Sequence, residues 1–394
     1  MEQVWFDAAL WVGLALIAAL ISMRLAVAVA LIEIVLGAIA GNTFGLHTTG
    51  WSGYLADVGA VLVVFLAGAE IDMRTLRKNA APSLAIGLAC FLVPLIGAAL
   101  VARFVLDWPW PAALVAATAT STTSVVVVYA VAVETGLVRY SLGQVMIAAC
   151  FLSNFGAMLA LGVLFTVPDP WLIGLIAALA ATFFIGGRFA HTLLGDGKTR
   201  SEPEVRFLLL VLFLLGAVGG LGGVQAVLPA FIAGVALAPF LAGRPEVAQR
   251  VRTVAFAVFT PFFFLKAGTL LDAHVLVQAG SAVLILLLTR IVAKLAGVLP
   301  VTAYFRYPPR TIWFTAFVMS TGLTFDVIIA LFGLDHGLID RSMYGVIVTV
   351  AIISAVVPTL IAQAWFKPNL AALAEREQNP SPLAGEGGER QRAG

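Results

Sequence analysis

Apolar runs of roughly 18 to 25 residues recur along almost the whole chain, each long enough as a helix to cross a hydrocarbon core of about 30 Å. Lipid leaves a backbone no partner but itself, so such runs can only become helices or a closed barrel. Barrel strands are shorter and alternate in polarity, which these runs do not. The expected fold is therefore an all-α polytopic membrane protein with the lipid bilayer as its first partner. Composition agrees: of 394 residues, 61% are hydrophobic and 11% charged, against about 25% charged in an ordinary soluble domain.

Hydropathy windows place about thirteen transmembrane helices, near 4–22, 25–42, 54–71, 83–105, 110–134, 140–165, 170–188, 205–222, 225–243, 252–270, 274–299, 310–333 and 341–366. The first run contains Asp7 and has neither a basic leader nor a small-residue cleavage pattern, so it reads as a permanent span and not a signal peptide. Basic residues check the count, because cytoplasmic loops carry excess Lys and Arg. Arg24, then Arg74, Arg77 and Lys78, then Arg139, then Arg188, Lys198, Arg200 and Arg206, then Arg244, Arg250 and Arg252, and finally Arg306 and Arg310 fall in alternate loops. The intervening loops hold acids such as Asp107, Asp169, Asp272, Asp335 and Asp340. Thirteen spans with the N-terminus outside and the C-terminus cytoplasmic fit this alternation. Beyond Lys367 the tail, 367–394, is polar and rich in Gly, Pro, Glu and Arg, which predicts disorder and no nucleotide-binding regulatory domain.

The net charge of +2 is scattered, without a basic stripe interleaved with aromatics, so nucleic acid is not an expected partner. Cys90 and Cys150 lie inside apolar runs and are too few for a disulfide framework or a metal cage, which leaves packing as their expected role. No GxGxxG, P-loop, HExxH or paired CxxC occurs, and His47, His191, His274 and His336 sit at loops or helix ends. No enzyme activity, cofactor or tightly bound metal is expected.

The polar connection 195–204 (GDGKTRSEPE) divides the chain into halves, and each half has one helix interrupted by small hydroxyl residues. These are Thr118–Ser124 (TATSTTS, with Thr120, Ser121, Thr122 and Thr123) in the fifth span and Ser320–Asp326 (STGLTFD, with Thr321 and Thr324) in the twelfth. Their spans are an odd number apart and so run in opposite directions. Paired interruptions of opposite topology point to inverted repeats, two crossing unwound helices and a binding site near the midplane. The hydroxyls have a plainer alternative, bonding back to their own helix carbonyls and packing between helices.

Ionisable side chains at bilayer depth are costly and tend to be paired or functional. Glu70, Asp72 and Arg74 end the third span, where acid and base can pair locally. Glu33 lies within the second span and calls for a base on a neighbouring helix. Arg290 and Lys294 are four apart and share one face of the eleventh span, unless Lys294 snorkels to the interface. Lys266 has Asp272 nearby as a local partner. Asp326 is the sharpest candidate, since it follows the hydroxyls of the twelfth span. A carboxylate there can hold either a proton or a cation, unless it points outward to water.

Several segments together resemble the cation/proton antiporter superfamily, in particular its Kef-type and NapA-like bacterial branch. They are FLAGAEIDMRTLRKN (65–79), TATSTTSVVVVYAVAVETG (118–136), CFLSNFGAML (150–159), AKLAG (293–297) and STGLTF (320–325). The resemblance runs from about Leu14 to Phe366. It implies a homodimer in the inner membrane, with an ion-binding core from helices near 83–165 and 274–366 moving past a dimerisation part. It makes Lys294 similar to the lysine that partners the ion-binding acid of electrogenic members. That acid would fall at Asn154, preceded by Ser153, so here the chain departs from the pattern: an amide has a coordinating oxygen and no proton to release. The expectation is that the titratable carboxylate has moved to Asp326. Asn154, Ser153 and the TATSTTS hydroxyls would then be neutral ligands, and Lys294 the electrostatic partner.

The expected function is secondary exchange of Na+ or K+ for protons. Two alternatives are a transport-silent sensor or assembly partner, and a cation or solute carrier without proton coupling. Ligand distances, which decide between Na+ and K+, are not readable from sequence.

Overall fold

The computed structural model describes residues 2–25, 28–70, 79–165, 202–221 and 226–370, with isolated positions at 174, 177–179, 182 and 373. Among these residues all regular structure is helical. The long helices are α1 (Glu2–Leu25), α2 (Val29–Phe44), α3 (Gly50–Ala69), α4 (Ala80–Phe104), α5 (Trp110–Ser121), α6 (Val125–Glu134) and α7 (Ser141–Phe165). They continue with α8 (Pro203–Leu221), α9 (Val227–Ala242), α10 (Pro245–Val254), α11 (Thr260–Thr269), the short α12 (Ala273–Gln278), α13 (Gly280–Tyr304), α14 (Pro309–Val318), α15 (Thr324–Asp335) and α16 (Arg341–Trp365). A widened turn of helix, Ala255–Phe259, joins α10 to α11.

Helices stand at twelve of the thirteen apolar runs. The seventh run lies largely outside the described residues. So do Asp72, Arg74, most of the polar connection 195–204, and the tail from 374 onward. Leu373 is 3% exposed and joins a buried cluster with Leu137 and Phe314. A correction concerns Asp272, whose carboxylate caps α12 by accepting from the His274 and Val275 N–H groups at 2.9 and 3.3 Å. Lys266 pairs with Asp57 at 2.8 Å instead.

The chain forms two compact units. The first comprises Met1–Ile71 and Leu161–Leu271. Its helices meet at glycines: Gly68 of α3 lies against the Phe231 carbonyl and Gly234 of α9 against the Phe65 carbonyl, while Gly37 of α2 and Gly268 of α11 make the same reciprocal contact with Leu265 and Ile34. Without a hydrophobic force between helices in lipid, close backbone approach of this kind is what holds them. Trp11 of α1 stacks on Phe262 with centroids 5.5 Å apart. Glu70 pairs with Arg252 of α10, a long-range partner in place of the local one expected. Glu33 is buried on α2, and no ion pair to it occurs among the described residues.

The second unit comprises Asp72–Ala160 and Asp272–Gly394. It shows one order twice: a long helix, a broken helix and a long helix, as α4, α5/α6, α7 and again α13, α14/α15, α16. The two leading helices pack on each other, with Gly297 of α13 against the Ala89 carbonyl of α4. Gly87 and Gly156 let α4 and α7 approach at Ala149 and at the Phe91 ring.

Candidate functional site

The fifth span breaks where its hydroxyl run begins to compete with the helix for backbone groups. Helix α5 ends at Ser121, Thr122 is extended (φ −70°, ψ 166°), and Ser124 restarts the chain by accepting from the Val127 N–H. The twelfth span stops at Val318 and resumes at Thr324. The two interruptions meet directly, through a hydrogen bond from the Ser124 N–H to the Thr321 carbonyl at 3.0 Å. Both segments are buried from Thr118 through Leu323 wherever they carry hydroxyls.

Carbonyls freed by a break at this depth need partners. Side chains supply them at Ser121, Thr122, Thr123, Met319 and Ser320. The Ser121 carbonyl accepts from Ser153 Oγ at 2.9 Å and Lys294 Nζ at 2.6 Å. The Thr122 carbonyl accepts from Arg290 Nη2 and Lys294 Nζ, both at 2.9 Å. The Thr123 carbonyl accepts from Asn154 Nδ2 at 2.8 Å and Cys150 Sγ at 3.2 Å, while Asn154 Oδ1 takes the Thr123 N–H at 3.0 Å. On the other break, Ser320 accepts from Arg290 Nε at 3.0 Å, and Met319 from Thr123 Oγ1 at 3.2 Å.

Asp326 lies in the first turn of α15, where the helix N-terminus favours a carboxylate. It is 1% exposed, so the outward-facing alternative fails. Its partners are Arg290 Nη1, 2.6 Å from Oδ2, and the Thr122 hydroxyl on Oδ1. Gly322 makes room for this pair, since a Cβ there would run into both the guanidinium and the carboxylate.

Three expectations need correction. Lys294 is fully buried and does not snorkel, but its ammonium bonds to the Ser121 and Thr122 carbonyls, Thr123 Oγ1 and Cys90 Sγ, leaving Arg290 as the partner of Asp326. The difference arises because residues four apart share a face yet sit one turn apart along it, so each reaches a different part of the crossing. Three of the six TATSTTS hydroxyls turn only backward: Thr118 to Leu114, Thr120 to Ala116 and Ser121 to Thr118, as Ser320 does to Ala316 and Thr321 to Val318. Main-chain carbonyls, with Thr122 and Thr123, face the charged groups instead, and Thr324 is half-buried at the start of α15. Asn154 also spends both ends of its amide on the Thr123 peptide, so it holds the break in shape.

The cysteines were missed. Cys90 Sγ lies 3.1 Å from Lys294 Nζ and 3.4 Å from Thr123 Oγ1. Cys150 sits one turn before Asn154, a spacing that could have placed it on the same face. Glu33 and Glu70 belong to the first unit and take no part in this crossing.

The arrangement is a buried polar centre with two cationic side chains, one carboxylate and a set of carbonyls aimed inward. A family model described as the transmembrane sodium/hydrogen exchanger matches residues 12–367. A protein of Methanocaldococcus jannaschii named "Probable Na(+)/H(+) antiporter 3" is 22% identical over 331 residues, 79% of this chain and 83% of its own. The Bacillus cereus Na+/H+-K+ antiporter GerN is 23% identical over 319 residues, 77% of this chain and 80% of its own. YjbQ of Bacillus subtilis is 24% identical over 375 residues, 87% of this chain, and the match spans 60% of that longer protein. Among solved structures, the sodium proton antiporter MjNhaP1 from Methanocaldococcus jannaschii superposes with a TM-score of 0.69 at 16% identity, covering 98% of this chain and 100% of that one.

Proposed function

The chain belongs to the sodium/hydrogen exchanger family of transmembrane proteins, and we propose that it exchanges a monovalent cation, Na+ or K+, for protons across the membrane. The observation that carries this reading is the contact between two interrupted helices, with Lys294, Arg290 and Asp326 all buried around it. Ionisable groups within membrane-spanning segments are costly and by default mark functional sites. Relatives named as sodium and potassium antiporters support the same class of substrate.

In this reading Asp326 is the carboxylate of the site and Lys294 the ammonium standing where a cation would be held. Ser153 and Asn154 fix the first break. A proton arriving at Asp326 Oδ2 must displace the Arg290 guanidinium. The repeated order of helices in the second unit supports inverted repeats, and the bases of alternate loops support an outside N-terminus and a cytoplasmic C-terminus. A homodimer in a bacterial inner membrane completes the proposal.

The test is purified protein in proteoliposomes with a trapped pH dye. Pulses of NaCl or KCl should move internal pH, and Asp326→Asn should abolish the response. A second reading, a transport-silent homologue, is favoured by one feature: Arg290 and Lys294 themselves donate to the Ser121, Thr122 and Ser320 carbonyls of the breaks. Folded protein that shows neither a cation-driven pH change nor a cation-dependent thermal shift would select it.

A further inference from the structure

The buried ammonium of Lys294 sits in a pocket of four acceptors: the Ser121 carbonyl at 2.6 Å, the Thr122 carbonyl and Thr123 Oγ1 at 2.9 Å, and Cys90 Sγ at 3.1 Å. A lysine ammonium has three donors, so one acceptor more than it can bond directly surrounds it. Four acceptors converging on one ammonium make a cage of the kind that coordinates a monovalent cation. From this geometry we infer that the exchange site selects large monovalent cations, K+ and its congeners Rb+ and Tl+, over Na+ and Li+, with Cys90 as a specificity-determining ligand. The inference rests on the exchange reading above and names its substrate.

Nitrogen-to-oxygen distances in an ammonium cage resemble those that K+ takes from oxygen, whereas Na+ draws its ligands closer. Contraction around Na+ would have to move atoms that are already held. The Ser121 carbonyl is bonded to Ser153 Oγ at 2.9 Å, the Thr122 carbonyl to Arg290 Nη2 at 2.9 Å, and Thr123 Oγ1 to the Met319 carbonyl at 3.2 Å. Every oxygen of the cage is therefore tied from outside. Selectivity by cavity size needs this kind of stiffness, and carbonyl dipoles of moderate field strength act in the same direction.

Sulfur is a soft ligand and suits polarisable ions better than hard ones. Cys90 Sγ stands at the junction of the breaks, 3.4 Å from Thr123 Oγ1 and 3.6 Å from the Met319 carbonyl. A hard, small ion gains least from it and Tl+ most. Dehydration adds to the preference, because stripping water from a charge costs more the smaller the ion. The substrate enters as the flexible lysine stem carries the ammonium aside, and it inherits the oxygens Lys294 leaves.

The experiment uses the full chain in proteoliposomes with a pH dye, pulsed with KCl, RbCl, thallium nitrate, NaCl or LiCl at equal ionic strength. Half-saturating concentrations for K+, Rb+ and Tl+ should be at least tenfold below that for Na+. Cys90→Ser should lower the Tl+ to K+ preference several-fold and narrow the K+ to Na+ gap. In detergent, the unaltered protein should gain more thermal stability from K+ and Tl+ than from Na+, which keeps the test independent of whether the variant folds. A pH response that favours Na+, or equal shifts by K+ and Na+, overturns the inference and leaves exchange standing. No response to any cation, in folded protein, overturns the exchange reading and the inference with it.

Discussion

Arg290 Nη1 lies 2.6 Å from Asp326 Oδ2, and both side chains are 1% exposed. The same guanidinium bonds the Ser320 carbonyl of one break and the Thr122 carbonyl of the other. One arginine thus joins both interruptions to the carboxylate that follows the second. Burying two charges costs several kcal/mol each, and the mutual attraction offsets this only when remaining donors and acceptors are satisfied. Here the two carbonyls accept from Nε and Nη2 of the guanidinium, and the Thr122 hydroxyl donates to the other carboxylate oxygen.

Removing one partner should therefore be worse than removing both. Asp326→Asn or Arg290→Gln alone is expected to lower stability by about 3–5 kcal/mol, read as a fall in melting temperature in detergent. Arg290→Met with Asp326→Leu should recover most of that loss. If Asp326 is the exchanging acid, the double variant will be folded and silent in the pH-dye assay. A double variant that still exchanges would reduce the pair to a brace.

Gly322 gives a sharper local test. Its added Cβ would collide with Arg290 and Asp326, and overpacking a tight site typically costs about 1–3 kcal/mol. Gly322→Ala should cost that much in the native background. In the double variant lacking the charged pair it should cost much less. The coupling energy from the four proteins checks the claim, because contacting residues depart from additivity and distant ones do not.

The two breaks were legible in sequence because runs of Ser and Thr compete with a helix for its own backbone, and both interruptions fall among such runs. The buried charges were legible because charged residues within apolar runs stand out. Partner choice was not. Arg290 and Lys294 share a helix face, and only the crossing geometry decides that the arginine meets Asp326 while the lysine meets carbonyls. Nor could sequence tell that the hydroxyls of Thr120 and Ser121 would turn backward and leave main-chain oxygens facing the site. Glu70 shows the same limit in the first unit, since its partner Arg252 is 182 residues away.

Asn154 holds the Thr123 peptide from both sides, accepting its N–H at 3.0 Å and donating to its carbonyl at 2.8 Å. Asn154→Asp keeps the first bond and replaces the donor with an acceptor. The Thr123 carbonyl then faces a second oxygen, and a cost of about 1–3 kcal/mol is expected from the lost buried bond. A cation placed between the two oxygens would relieve it. Asn154→Asp should accordingly melt lower than the native chain without salt and regain the difference in K+ or Na+, to a greater extent than the native chain gains. Equal salt shifts in both proteins would show that position 154 does not face the cation.

The first unit rests on glycine seams, and its prediction follows from them. A Cβ on Gly234 would meet the Phe65 carbonyl and the Ala69 amide, and one on Gly268 the Ile34 carbonyl and the Ala38 amide. Backbone cannot move aside as a side-chain tip can, so the helices themselves would have to part. Gly234→Ala and Gly268→Ala are expected to cost about 1–3 kcal/mol each, and leucine at either position should prevent recovery of folded protein. Gly13 provides the control, because it lies within α1 with open space where its Cβ would go. There alanine should be neutral or gain up to about 1 kcal/mol from helix propensity alone. Melting curves of the three alanine variants should separate accordingly, with Gly13→Ala at or above the native chain. Similar losses at all three positions would mean that helix propensity and packing in lipid, not close backbone contact, govern this unit.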